Sequence, residues 1–385
     1  MTNTRPFHVL YVTHASNLTG ASRSLLDLLS ALERTRVKPI VLLREHGPLE
    51  SKLNELGIPY EIIPYGLSVM SPNSRIPSSV KKVVNALAVA RVRWLLNARK
   101  IDLVHNNSLL IDVGMRAALA SEIPYVCHVR ELVNEDHEMT FINEPRTKRL
   151  ISRSAMNIFI SQFVANKFTD WAGVAPRTVM MNAVSIPGGA APRSSKPFLR
   201  GPFRLFLPGR FARGKGQLDA IRAAKLIMEH GYEIQLVLAG DVGQDDYYEE
   251  CLNYINHNHM SCVSVRNFLP DVSKEYASAD AALMCSSAEA MGRVTVEGML
   301  AGALVIGANA GATPELIKDG VTGLLYKNGD PEALAEKIIW AISNAEAAVA
   351  IARAGRKYAS EKFNKNAYAS KMMKIYRGCL EVPGW

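Results

Sequence analysis

Three short segments hold residue types whose spacing could do chemistry. In Pro208-Gly-Arg-Phe-Ala-Arg-Gly-Lys-Gly216, Arg210 and Lys215 stand beside glycines. Two cations next to backbone that a ligand can approach closely suit a diphosphate, which carries about two to three negative charges. The same residues also read as a solvated basic turn. A Walker A loop is excluded, because Gly216 follows the lysine where Ser or Thr belongs. In Ser287-Ala-Glu289-Ala-Met-Gly292-Arg-Val-Thr-Val-Glu297, two carboxylates stand eight positions apart. Glycosidase pairs lie about 5–9.5 Å apart, whereas eight residues of unbroken helix span ~12 Å. A hydrolytic pair is therefore disfavoured. A division of labour fits better, each carboxylate accepting hydrogen bonds from different hydroxyls of one ligand. The helix start near Gly292 would then face the ligand's phosphate. Taken alone, the pair reads as two surface glutamates. In His14-Ala-Ser-Asn-Leu-Thr-Gly20-Ala-Ser22, Gly20 would let backbone approach a ligand just before a helix. This is no G-x-G-x-x-G fingerprint, and the segment reads equally as a flexible turn capped by Ser22.

Each segment follows a strand-like run and opens a helix-like one. Apolar runs such as His8–Val12, Pro39–Leu43, Tyr60–Ile63, Asp102–His105, Tyr125–His128, Asn157–Ile160 and Thr178–Met181 alternate with amphipathic stretches at Ala21–Leu32, Leu49–Leu56, Val80–Leu96 and Leu109–Ala120. A Pro-, Gly-, Ser- and Ala-rich stretch interrupts them, and the alternation restarts at Phe203–Leu207. Strands alternating with helices imply parallel sheets covered on both faces. The expected organisation is α/β: two tandem Rossmann-like domains facing a cleft. The domains are 1–185 and 203–365, joined by a linker at 186–202. A last helix, 366–385, would pack back on the N-terminal domain. Such sheets bind ligands at the carboxyl ends of their strands, where all three segments fall.

The chain resembles the family 4 retaining glycosyltransferases, of GT-B fold. The family's E-x7-E motif is matched by Glu289 and Glu297, and its G-R-x-x-x-x-K-G motif by Gly209, Arg210, Lys215 and Gly216. Its G-G-x-P-E motif appears as Ala310-Gly-Ala-Thr-Pro-Glu315, followed by Asp319-Gly-Val-Thr-Gly-Leu-Leu. Asp102-Leu-Val-His-Asn-Asn-Ser108 and His128-Val-Arg-Glu-Leu132 look similar in the first half. The resemblance implies transfer of a sugar from a nucleoside diphosphate to an acceptor, with retention and without metal or other cofactor. Arg210 and Lys215 would hold the donor diphosphate and Gly20 would lie under it. Glu297 would bind the ribose and Glu289 the transferred sugar, with Met291, Gly292, Arg293 and Val294 as further substrate contacts. His128 would meet the sugar from the opposite domain. His105 reads instead as a core histidine, and Cys127 and Cys285 as packing residues. Three departures stand out: Thr19-Gly20 replaces a glycine pair, Met291 stands where Phe is common, and Leu269-Pro270 replaces a glycine.

Composition narrows the alternatives. The 385 residues allow two domains, and the five cysteines form no C-x-x-C pair, so neither a disulfide framework nor a zinc site is suggested. No opening stretch has a secretory pattern, so a cytoplasmic protein is expected. Through Arg200 there are 25 Lys and Arg against 15 Asp and Glu, while the remainder is almost balanced. The basic stretch Lys81, Lys82, Arg91, Arg93, Trp94, Arg99, Lys100, with Arg146, Lys148, Arg149 and Arg153, reads either as a solvated helix face or as a surface docking on an anionic leaflet. There lipid-linked acceptors reside, at the inner face of the cell membrane. Other readings are a different GT-B reaction, such as sugar-nucleotide epimerisation, and a basic nucleic-acid-binding protein. The latter lacks the aromatic–basic interleaving it would need, so no nucleic-acid partner is expected.

Overall fold

Apolar strands covered by helices on both faces are what the sequence provides, and the protein builds them twice. A computed structural model describes residues 5–18, 20–71, 74, 76–135, 139–186, 201–269 and 271–381. Most of the expected linker, together with Thr19 and Pro270, lies outside them. Backbone contacts divide the chain into two units: one runs to Ala183 and resumes at Lys365, and the other is Val184–Asn364.

In the first unit the strands are β1 (Phe7–Val12), β2 (Val37–Leu43), β3 (Tyr60–Ile62), β4 (Val69–Met70), β5 (Leu103–Asn106), β6 (Tyr125–Val129), β7 (Thr140–Phe141), β8 (Met156–Phe159) and β9 (Arg177–Val179). A parallel sheet runs in the order β3-β2-β1-β5-β6-β8-β9, while β4 and β7 pair as a short antiparallel ladder. Val9 to Val12 of β1 are wholly buried, as a central strand covered on both faces requires. Leu25, Leu28 and Leu29 of the helix Gly20–Ala31 pack on this sheet with Tyr368, Met372 and Tyr376 of the helix Lys365–Glu381. The chain's last helix is thus part of the first unit's core. One helix starts later than its apolar pattern suggests, at Val113 rather than Leu109. Leu109 to Ile111 are buried in a loop whose carbonyls are held by a side chain: Asn106 Nδ2 donates to Ser108 O and Ile111 O.

The second unit carries β10 (Phe203–Pro208), β11 (Ile234–Ala239), β12 (Val263–Arg266), β13 (Ala281–Met284), β14 (Leu304–Ala308) and β15 (Leu324–Tyr326). They form a parallel sheet in the order β12-β11-β10-β13-β14-β15 over a separate core that includes Leu205, Leu236, Leu283 and Ile306. Both units are Rossmann-like, as expected. In each, strand order reverses beside the first strand, between β1 and β5 and between β10 and β13. Such a switch point opens a crevice where ligands bind.

The helix Ser78–Ala98 buries Asn85, Ala88, Val92, Leu95 and Leu96 along one face. Its opposite face leaves Val83, Leu87 and Trp94 at least 62% exposed, among exposed Lys82, Arg91 and Arg93. Lys81 is turned away from this face, its ammonium donating to Val69 O at 3.2 Å. Arg146 and Lys148 are likewise engaged, with Asp112 at 2.9 Å and Glu144 at 2.7 Å.

Candidate functional site

The loops leaving β10 and β13 flank the second unit's switch point, and they carry the residues singled out from the sequence. After β10, a single 3-10 turn at Arg213–Lys215 leads through Gly216 into the helix Gln217–Glu229. Gly216 has φ +69°, and a Cβ there would sit 2.3 Å from Cys285 O, so only glycine lets the two loops close on each other. Ser287 N donates to Gly214 O at 3.0 Å and fixes that approach. Lys215 Nζ is thereby brought 2.8 Å from Glu289 Oε2, with the two side chains 27% and 19% exposed. Two residues assigned to different parts of a ligand are therefore each other's partner.

The cations of the loop have different fates. Arg213 is locked, bonded to Asp246 and Glu250 at 2.9 and 2.6 Å and lying over the Tyr247 ring. Arg210 is exposed, and no carboxylate pairs with it among the described residues. Its aliphatic stem crosses Gly243, where any Cβ would meet it at 2.7 Å. Arg210 thus keeps its guanidinium available for an anion.

After β13, Gly292 at φ +85° caps the helix Arg293–Ala301, whose first-turn N–H groups are the ready-made anion donors of a helix start. Met291 and Gly292 are buried, and Arg293 and Val294 half-buried. Glu297 is buried one turn on. Its Oε1 lies 3.4 Å from Arg293 Nε, and Tyr276 Oη donates to Oε2 at 3.3 Å. A buried carboxylate costs several kcal/mol unless paired and hydrogen-bonded, and these partners compensate it. The Ala310–Glu315 segment backs the other carboxylate. Ala312 N donates to Glu289 O, and Gly311 at φ +57° passes where a Cβ would strike Glu289 N at 2.5 Å. The Asp319–Leu325 stretch closes a turn: Asp319 Oδ1 accepts from Leu325 N.

Gly20 and His128 belong to the first unit. Gly20 is exposed at the start of its helix, after β1. Ser22 is not a cap there; its Oγ faces Ala15 O. His128 lies next to last in β6 and is wholly buried, its Nδ1 3.1 Å from Arg130 Nη2 and 3.2 Å from His105 Nε2. Burial, Arg130 and His105 hold its pKa well below the usual value, so it is neutral. Burial and Arg130 do the same to His105, which is a core histidine as expected. Arg130 also donates from Nε to Asn107 Oδ1 at 3.1 Å and from Nη1 to Asn182 Oδ1. Sequence reasoning missed Arg130, Asn107 and Asn182, although the first two lie within the quoted segments. His14 was also missed as a titrating group; burial, Arg130 and Arg44 lower it to about 4. Cys127 and Cys285 are packing residues, their thiols pushed up to about 12 mainly by burial.

Residues 18–186 match the model described as Glycosyltransferase Family 4, and residues 193–358 that described as Glycosyl transferases group 1. The putative glycosyltransferase EpsD of Bacillus subtilis is 27% identical over 190 residues, 49% of each chain. The capsular polysaccharide biosynthesis glycosyltransferase CapM of Staphylococcus aureus is 24% identical over 45% of each. The matched region thus spans about half the length of these curated relatives. Among solved structures, Anabaena HepE in complex with UDP superposes with a TM-score of 0.78 at 24% identity, over 96% of this chain and all of that one.

Proposed function

Since the chain belongs to the glycosyltransferases, with a Family 4 first half and a group 1 second half, we propose that it transfers a sugar from a nucleoside diphosphate to an acceptor hydroxyl with retention at the anomeric carbon. One arrangement carries this reading: an exposed Arg210, the Lys215–Glu289 pair and a buried Glu297 gathered on the two loop-and-helix segments that flank the second unit's switch point.

In this reading Arg210 and Lys215 take the donor's diphosphate, with the helix start at Arg293 adding N–H donors. Lys215 then divides its charge between Glu289 and the phosphate. Glu297, already compensated by Arg293 and Tyr276, accepts from the ribose hydroxyls. Met291, Gly292 and Val294 border the same helix start as substrate contacts, and Gly20 lets backbone near the diphosphate. Glu289 accepts from hydroxyls of the transferred sugar. The bond between the anomeric carbon and the β-phosphate oxygen breaks with its electron pair moving to the phosphate. Arg210 and Lys215 stabilise that charge as it develops. The acceptor oxygen bonds to the same face of the sugar, and its proton passes to the departing phosphate oxygen. In this scheme protein cations carry the leaving-group charge, and no metal or other cofactor is assigned. His128 is assigned to the sugar through Nε2, a buried ring atom with no hydrogen-bond partner among the described residues.

Partners follow from chemistry. HepE is described in complex with UDP and with UDP-glucose, which makes uridine donors the first to test. The name of CapM supports an acceptor in capsular-type polysaccharide synthesis. Among the described residues no helix is long and apolar enough to cross a membrane. The exposed apolar and basic face of Ser78–Ala98 supports peripheral docking on an anionic leaflet, with a lipid-linked acceptor, from the cytoplasmic side. The deciding experiment is a thermal-shift series with UDP-, GDP- and ADP-sugars. One of them should raise Tm by the mass-action amount, about 2.7 kcal/mol at a hundredfold excess over Kd. No shift with any nucleotide sugar would refute the reading.

A further inference from the structure

His128 sits in a chain of buried polar contacts that runs to the end of the sequence. Tyr376, on the helix Lys365–Glu381, places its hydroxyl 2.8 Å from His105 Nδ1. His105 Nε2 lies 3.2 Å from His128 Nδ1, which also faces Arg130 Nη2 at 3.1 Å. Beyond Tyr376, the Tyr11 hydroxyl is 3.1 Å away. Tyr11, His105, His128 and Tyr376 are all wholly buried. His128 Nε2 has no hydrogen-bond partner among the described residues.

The direction of each bond follows from what each group can do. A guanidinium only donates, so His128 Nδ1 facing Arg130 must carry a lone pair. The proton of the neutral ring is then on Nε2. His105 Nε2, facing that same lone pair, must be protonated, which leaves His105 Nδ1 as an acceptor. Only a donor can satisfy it there, and the Tyr376 hydroxyl is that donor. The Tyr11 oxygen, 3.1 Å from the same hydroxyl, is a competing acceptor for its single proton. We propose that Tyr376 is a positioning residue that acts through His105 to keep the His128 proton on Nε2. A residue 248 positions after His128 thereby sets the polarity of the hydrogen bond that His128 offers. This orienting logic is the one by which a third group fixes the tautomer of a catalytic imidazole. The use of Nε2–H toward a sugar rests on the function proposed above; the proton's placement does not.

The test reads the proton directly. The full chain is labelled with 15N-histidine, and two-bond 1H–15N correlations show which nitrogen of each neutral ring is protonated. His105→Gln and His128→Gln assign the signals. Wild-type protein should show Nε2–H for both rings. Tyr376→Phe should populate the other tautomer of His105 and mix the His128 signals. Tyr11→Phe, which removes a bond of similar burial but leaves Tyr376 on His105, should keep the wild-type pattern. A wild-type His128 protonated on Nδ1, or a Tyr376→Phe spectrum identical to wild type, would overturn the proposal. Turnover of UDP-glucose, or of whichever sugar nucleotide raises Tm, should fall roughly ten- to a hundredfold in Tyr376→Phe with KM unchanged. That is less than the ~10⁴ lost when a catalytic imidazole is held in the wrong tautomer. If the spectra behave as stated while His128→Gln remains fully active, the placement of the proton stands and the assignment of His128 to the sugar falls.

Discussion

Lys215→Ala separates the structural role of the Lys215–Glu289 pair from its proposed catalytic one. The two side chains are 27% and 19% exposed and 2.8 Å apart, so solvent still screens them. An ion pair of this kind contributes about 1 kcal/mol to stability, near the upper end for partly exposed pairs. For a unit the size of Val184–Asn364 that corresponds to a fall in Tm of about 2–4 °C. If Lys215 also meets the charge that develops on the leaving diphosphate, its loss should cost about 2–4 kcal/mol of transition-state stabilisation. The rate constant kcat/KM would then drop by ~30- to 1,000-fold, far more than the stability change. The assay is initial-rate release of the nucleoside diphosphate, run beside a melting curve for wild type, Lys215→Ala and Glu289→Gln/Lys215→Ala. The double variant removes the orphaned carboxylate and should recover most of the lost Tm but none of the lost rate. Near-normal kcat/KM in Lys215→Ala, or recovery of rate together with Tm, would show that the lysine serves only to hold the two loops together.

Three further outcomes are expected. EDTA should leave the rate largely intact, since Arg210 and Lys215 are assigned the leaving-group charge; loss on chelation that manganese or magnesium restores would reverse that assignment. Protein should sediment with anionic liposomes at low salt and be released as salt rises, each Lys or Arg near the surface contributing about 1 kcal/mol. Charge reversal at Lys82, Arg91 and Arg93 should abolish this and Leu87→Ser/Trp94→Ser weaken it, while equal binding by the reversed variant would move the basic surplus to a soluble anionic partner. Stability should fall as pH drops from about 6.5 toward 4. His14 binds its proton at about 4 when folded but near 6.5 when unfolded, so the unfolded state takes up more protons across that window. His105 and His128, lowered in the same direction, steepen the loss. Urea midpoints across this range should decline less steeply in His14→Gln, and an unchanged slope would mean that His14 titrates normally.

Much of the site was legible because each of its loops is contiguous and carries its own glycines and charges. Gly209 to Gly216 and Ser287 to Glu297 declare strand, turn and helix within a dozen residues. What joins them was not legible. Lys215 and Glu289 are 74 positions apart, and nothing in either segment says that the two would pair. The same holds for His105 and Tyr376, 271 positions apart. The helix start at Val113 was misjudged for another reason. Leu109 to Ile111 continue the apolar pattern of the helix, while the Asn106 side chain satisfies their loop's backbone instead. The β4–β7 ladder pairs only two residues on each strand, too few for alternation to register.

The return of the helix Lys365–Glu381 to the first unit has a consequence for how the chain matures on the ribosome. Domains usually fold in the order in which they emerge. Here the second unit, being continuous, has all its residues once Asn364 has left the exit tunnel. The first unit, though made first, must wait with an open apolar seat until Tyr368, Met372 and Tyr376 arrive. During translation that seat stays open, and a stalled or prematurely terminated chain would expose it permanently. A nascent chain stopped after Asn364 should therefore give a protease-resistant second unit beside a first unit that is cut readily. The order of completion is the reverse of the order of synthesis.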